Sequence, residues 1–235
     1  MYRNKELWST IGAKLVSSMS YYKDFEFSED EVFELIADDQ YLLDDSIEVY
    51  GKELINFLRI WELIRLKIIE SKETFRNEGE HKWSFDVNNY REVYMLLDSS
   101  GEYEHVFLNM ATGKNKTIEM IIFFEESLIE EASLEAFIED LLITYIYFAI
   151  EKPLGVYTIP FLSIIANSML LYRGFGPILP TYKGELLDFC KLSVGLLESC
   201  KGLPIEHYNR TNNFDKCFKR LLDISENNKM ILDAI

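Results

Sequence analysis

Apolar residues recur at helical spacing through most of the chain. Leu7, Ile11, Leu15 and Val16 make one stripe over residues 5 to 20. Ser28 stands before Glu29, Asp30 and Glu31, a capping residue followed by acids at the positive end of a helix dipole. Val32, Phe33, Leu35 and Ile36 then continue that helix. A longer helix is predicted from about Ile47 to Thr74, carrying Leu54, Leu58, Ile60, Trp61, Ile64, Ile68 and Ile69, and Gly79 breaks the pattern. Asn88 or Asn89 is placed to cap a short helix bearing Val93, Tyr94, Leu96 and Leu97. Glu102 to Asn109 alternates in part and is followed by Thr112-Gly113, which predicts a short β-hairpin. Ser133 to Ile150 is helical and stops before Pro153. Thr158 is set to cap the next helix, with Pro160 tolerated in its first turn and Gly174 at its end. Tyr182 to Cys200 and Asn213 to Asp233 fit two further helices. No internal repeat or low-complexity linker interrupts them.

Composition agrees with a packed helical protein. Of 235 residues, 48% are hydrophobic, with 14 Tyr and 16 Phe, enough to build a core. Eleven Gly and five Pro are few breakers for this length. Two apolar runs, Leu141 to Ile150 and Ile159 to Tyr172, are each shorter than a membrane span and are separated by Glu151-Lys152-Pro153, so both are expected to be buried core helices. The first residues lack a small-residue cleavage site, and no secretory signal is expected. The formal charge of -16 repels phosphate backbones, which excludes nucleic acid as a first choice of partner and favours a basic protein. Cys190, Cys200 and Cys217 are odd in number, match no metal or disulfide spacing, and have no histidine close by. Reduced thiols in the cytoplasm are the expectation.

A family resemblance rests on five segments. Ile164 to Leu179 carries Asn167 within an apolar helix that ends in Gly174-Phe175-x-Pro177-Ile178. Tyr145-x-Tyr147-x-x-Ile150 precedes it. Thr74 to Gly79 has a threonine, three residues, then Glu78-Gly79 at the end of a long helix. Ser84 to Leu97 follows as a short helix, and Glu102 to Asn109 as the hairpin. In this order, across Leu58 to Leu179, they resemble the Fic (Fido) family with an N-terminal inhibitory helix. The resemblance implies a mainly α fold, a Fic/Fido-like helical bundle with a small β-hairpin flap. It further implies an N-terminal helical extension at 1–57 and a Fic/Fido-like domain at 58–235.

The family's catalytic motif, His-Pro-Phe-x-Asp/Glu-Gly-Asn-Gly-Arg-x-x-Arg, is missing. Its histidine is a general base, its Gly-rich turn and helix N-terminus hold phosphates, and its acid holds a metal. Here Glu151 or Lys152 stands at the histidine position, according to which flank sets the register. In the downstream register Val156 replaces the metal-binding acid, Tyr157-Thr158-Ile159-Pro160 replaces the phosphate-binding turn, and Ser163 replaces the final arginine. Each lost group is worth about 100-fold or more in rate, so conventional AMPylation is not expected. Glu78 would pair with that final arginine, and lacks it, so Thr74, Glu78 and Gly79 read as a structural relic.

The leading expectation is therefore a catalytically degenerate protein that binds another protein, with no cofactor and no metal. The alternative follows from a likeness to AvrB-like Fido proteins, effectors delivered to a host cell that also lack the motif. On that reading a nucleotide or nucleotide sugar is the co-substrate, Glu151 or Lys152 is catalytic, and Arg173 and Lys183 hold a diphosphate. A second alternative is an unrelated helical interaction domain. His81, His105 and His207 are scattered, Glu125-Glu126 and Glu130-Glu131 read as a solvated face, and Trp8, Trp61 and Trp83 read as core.

Overall fold

The computed structural model describes residues 3–19, 27–79, 82–108, 115–129, 133–179 and 183–234. These form eleven α-helices: α1 (Lys5–Met19), α2 (Glu29–Ala37), α3 (Ser46–Tyr50), α4 (Lys52–Glu78), α5 (Val87–Leu97), α6 (His105–Leu108), α7 (Lys116–Ile129), α8 (Leu134–Glu151), α9 (Thr158–Arg173), α10 (Lys183–Cys200) and α11 (Phe214–Ala234). Short 3-10 turns sit at Gln40–Leu42, Gly155–Tyr157 and Ile205–Arg210. No strand occurs among the described residues.

The bundle is organised round α9. Its sequence is apolar on every side, and a helix without a polar face must be enclosed. Thirteen of its sixteen residues are buried. The stretch Gly155–Arg173 is long and apolar enough to cross a membrane, yet 72% of it is buried inside the protein, as a core helix would be. α8 packs beside α9, α4 and α5 cover further sides, and α10 and α11 pack on one another and on α8. The end of α9 is held by its own return segment. Gly174 adopts φ 81, a left-handed cap, and Phe175 N–H donates to Leu170 O at 2.9 Å. Asn167, 2% exposed, then grips the returning chain. Ile178 N–H donates to its Oδ1 at 2.6 Å, and its Nδ2 donates to Ile178 O at 3.2 Å and Ser163 O at 2.9 Å.

α1 docks on α4 through stacked Trp8 and Trp61, 3.8 Å between ring centroids, and α2 packs on α1. Gly12 permits this approach, since a Cβ there would stand 2.2 Å from Trp61 Nε1. The expected boundary between residues 57 and 58 lies inside α4. Buried apolar residues from Leu7 to Leu221 form one cluster.

Several expectations are corrected. The helix expected over 47–74 is split, because Gly51 takes φ 85 and ends α3 before α4 begins. Asp86, not Asn88 or Asn89, caps α5, and Asn89 returns its side chain to the Asp86 N–H at 3.1 Å. Residues 102–108 form a turn and the single turn of α6 instead of a strand. Asn109, Thr112 and Gly113 lie outside the described residues. Helix α7 was not anticipated. Thr158 does not cap α9 but is its first residue, after Tyr157, and turns its hydroxyl back to the preceding loop. The remaining helices match, with Ser28 and Ser133 capping α2 and α8 through bonds to Glu31 N and Ala136 N.

Candidate functional site

The segment joining α8 to α9, residues 152–157, is where the resemblance placed a phosphate-binding turn. Lys152 takes φ 47 and donates its N–H to Phe148 O at 2.9 Å, closing α8. Pro153 disfavours the right-handed helical region at the residue before it, so the chain turns out of α8 here. Gly155 N–H donates to Lys152 O at 2.9 Å and Tyr157 N–H to Leu154 O at 3.1 Å. Leu154 is fully buried and anchors the loop.

The loop consumes its own polar groups. Thr158 Oγ1 accepts from Leu154 N–H at 3.0 Å and donates to Gly155 O at 2.9 Å. Pro160 deletes one of the free N–H groups that make a helix start attractive to anions. Val156, 79% exposed, is what the loop presents to solvent.

The turn after α5 closes against this loop. Gly155 has φ 56, and the Tyr103 ring lies 2.8 to 3.0 Å from where its Cβ would stand, so Tyr103 covers the loop directly. Tyr103 is fixed in turn. Its N–H donates to Tyr94 Oη at 2.7 Å, and that hydroxyl donates to Asp98 Oδ2 at 2.7 Å. Burial, aided by the bond to Asp98, pushes the Tyr94 phenol above its usual range. Arg91 Nε donates to Glu104 Oε1 at 2.7 Å on the same turn.

The expected site residues do not converge. Glu151 is the exposed last residue of α8 and Lys152 the exposed residue after it. Arg173 ends α9, at the other end from the loop, roughly 22 Å away along the axis by the helical rise. Its guanidinium lies 5.9 Å from the Phe175 ring. Lys183 opens α10, and its side chain lies outside the described residues. Thr74 Oγ1 donates to Glu70 O at 3.1 Å within α4, Glu78 is exposed at the helix end, and Gly79 caps it with φ 78. Lys72, two residues before Thr74, sits 4.9 Å over the Tyr172 ring, so this part of α4 meets the Arg173 end of α9 and not the loop. Burial, then the charge of Arg173, holds the Lys72 amine below its usual range.

His105 is exposed on α6 and His207 lies in the 205–210 turn, while His81 is outside the described residues. No group of three or more His, Cys, Asp or Glu side chains able to hold a metal occurs among the described residues. The solvated reading of the α7 carboxylates is corrected at one position. Glu125 is half-buried, accepts a hydrogen bond from Tyr90 Oη, and is pushed up to about 8 by burial, with Glu126 adding to the shift. Its spacing gave a signal, since Ile118, Ile121 and residue 125 share one helical face. Glu126 is exposed as expected, and Glu130 and Glu131 lie outside the described residues.

On the other side of α9 is a cavity of about 100 Å³ that sequence reasoning did not foresee. Side chains of α8, α9, α10 and α11 line it, including Tyr145, Leu162, Ala166, Phe189 and Leu221. Ser163, which the resemblance set in place of an arginine, is on its wall.

No protein-family model matches the chain, no curated protein matches it, and no solved structure matches its fold. Fold and site together define a mainly helical protein with a largely buried central helix and a loop at that helix's start that bonds its own polar groups.

Proposed function

We propose that this chain acts by binding another protein and carries out no group transfer at the 152–157 loop. The observation that carries this reading is the Tyr103 ring lying on Gly155, which covers that face of the loop with the protein's own side chain. The reading rests on the loop itself and not on kinship. A degenerate Fic-like descent remains our proposal for its origin, supported by the α8–loop–α9 arrangement, buried Asn167 and the Gly174 cap.

The transferase alternative requires Glu151 or Lys152 to act together with Arg173, and these sit at opposite ends of α9. The partner is a basic protein, given the charge of -16. Val156 and Leu108, 79% and 62% exposed, supply apolar contacts beside it. A cytoplasmic setting suits three free thiols.

Two measurements test the reading. Calorimetric titration with ATP, CDP-choline and nucleotide sugars, with and without Mg²⁺, is expected to give no heat. Near-micromolar binding of any of them would overturn it. A benzophenone amino acid at position 156 is expected to give a discrete protein adduct in the source cells that fades as salt rises. No adduct, or one indifferent to salt, counts against a basic partner.

A further inference from the structure

The cavity behind α9 is a second place where the chain can hold a ligand, independent of the loop. Its walls come from five helices and the return segment, with Ser18 on α1 and Ile178 after α9. Tyr145 stands on α8, Leu162 and Ala166 on α9, Phe189 on α10, and Leu221 and Ile224 on α11. On α9 the lining positions Ile159, Leu162, Ser163, Ala166 and Asn167 follow a helical stripe, so one whole face of the central helix looks into the space.

The polar groups on the wall are already engaged. The Asn167 amide is spent on Ser163 O and on both backbone groups of Ile178. The Tyr145 hydroxyl engages Ser193, and burial pushes that phenol up. Glu185 Oε1 takes Arg220 Nη2 at 2.8 Å, with the Glu185 side chain only 11% exposed. What remains facing inward is mostly carbon. A dry apolar cavity of about 150 Å³ in another protein takes up benzene. The present volume is about 100 Å³ and opens to the surface, so it suits a slim alkyl end or one ring edge whose remainder emerges.

Charge then selects among apolar molecules. Glu185, the acid on the described lining, is already paired with Arg220, no Lys or Arg stands among the described lining residues, and the molecule as a whole carries -16. A carboxylate at the mouth finds no cation on that lining to offset its loss of water and meets the repulsion of the molecule as a whole. We infer that this cavity binds a small neutral amphiphile or hydrocarbon, of the fatty-alcohol or alkyl-arene class, and discriminates against fatty acids of the same length.

The test uses the full chain and the neutral fluorophore 1-N-phenylnaphthylamine. Saturable fluorescence enhancement is expected, displaced by decan-1-ol, with decanoate about tenfold weaker as a competitor. Ala166→Phe projects a ring into the space and is expected to abolish the enhancement while helical circular dichroism is kept. Should that variant fail to fold, Leu221→Ala enlarges the same cavity and is expected to tighten probe binding. No saturable enhancement in the unmodified chain overturns the proposal. So does equal binding by a folded Ala166→Phe variant, or, in the Leu221→Ala variant, unchanged affinity. Decanoate competing as well as decanol overturns the charge selection.

Discussion

Single residues decide whether the loop stays shut. Gly155 combines φ 56 with a tyrosine ring inside contact distance of its missing Cβ. Gly155→Ala therefore carries both backbone strain and a clash, and is expected to lower stability by about 1–3 kcal/mol in urea melts. Tyr103→Ala removes the clash but not the strain. The double variant should recover part of the loss, a non-additivity expected only between touching residues. Strict additivity would mean that Tyr103 does not lie on the loop.

Glu125 makes a separate case at the same scale. Its folded pKa of about 8 lies above its ordinary value of 4.5, so the folded chain binds this proton more tightly than the unfolded one. The stability from it is fully present below 4.5 and is lost as pH rises through 8, by up to about 1.4 kcal/mol per pH unit. Glu125→Gln should flatten that part of the stability–pH curve and leave the chain more stable than the original at pH 9. A slope unchanged by the substitution would show that Glu125 is ionised in the fold. The sequence reading put Glu125 on a solvated face, and nothing local to it says that Tyr90, 35 residues earlier, meets this carboxyl.

At the scale of elements, the helices were legible where caps and spacing agreed. Ser28, Ser133 and Gly174 marked their ends correctly. The failures have local physical causes. Residues 102–108 alternate only in part, a lone two-stranded hairpin is marginal, and the Tyr94 hydroxyl captures the Tyr103 N–H that a ladder would use. α7 escaped notice because the continuous apolar run Met120 to Phe124 masks the helical stripe that Ile118 and Ile121 begin. The site was less legible still, because the cavity and the separation of Lys152 from Arg173 depend on how α8 to α11 pack. The return segment after α9 is the element most sensitive to change. A Cβ on Gly176 would lie 1.9 Å from Ser225 O and 2.4 Å from Lys229 N, both backbone atoms of α11. Gly176→Ala should therefore displace α11, and loss of cooperative unfolding is the expected readout. Asn167→Ala keeps the shape but strands both backbone groups of Ile178, at a cost of about 2–5 kcal/mol. If Asn167→Ala melts like the parent chain, the staple is not holding the segment.

At the scale of the whole molecule, like charges press outward. Forty acidic residues face twenty-four basic ones. Ion pairs such as Lys5–Asp39 and Lys14–Glu29 are exposed, and pairs of that kind contribute about 0–1 kcal/mol each. Repulsion among the unpaired carboxylates should outweigh them. Salt screens both, with the Debye length falling from about 30 Å at 0.01 M to about 8 Å at 0.15 M. Attraction in a contact pair acts over about 3 Å, well inside either length, whereas repulsion across the surface acts over distances that salt shortens most. The melting temperature should therefore rise with sodium chloride over this range. One kcal/mol of relief corresponds to about 2–4 °C for a chain of this size. A fall with salt would mean that the ion pairs dominate. The same screening should weaken a basic partner while it steadies the fold, so salt drives binding and stability in opposite directions, a combination that an apolar interface alone would not produce.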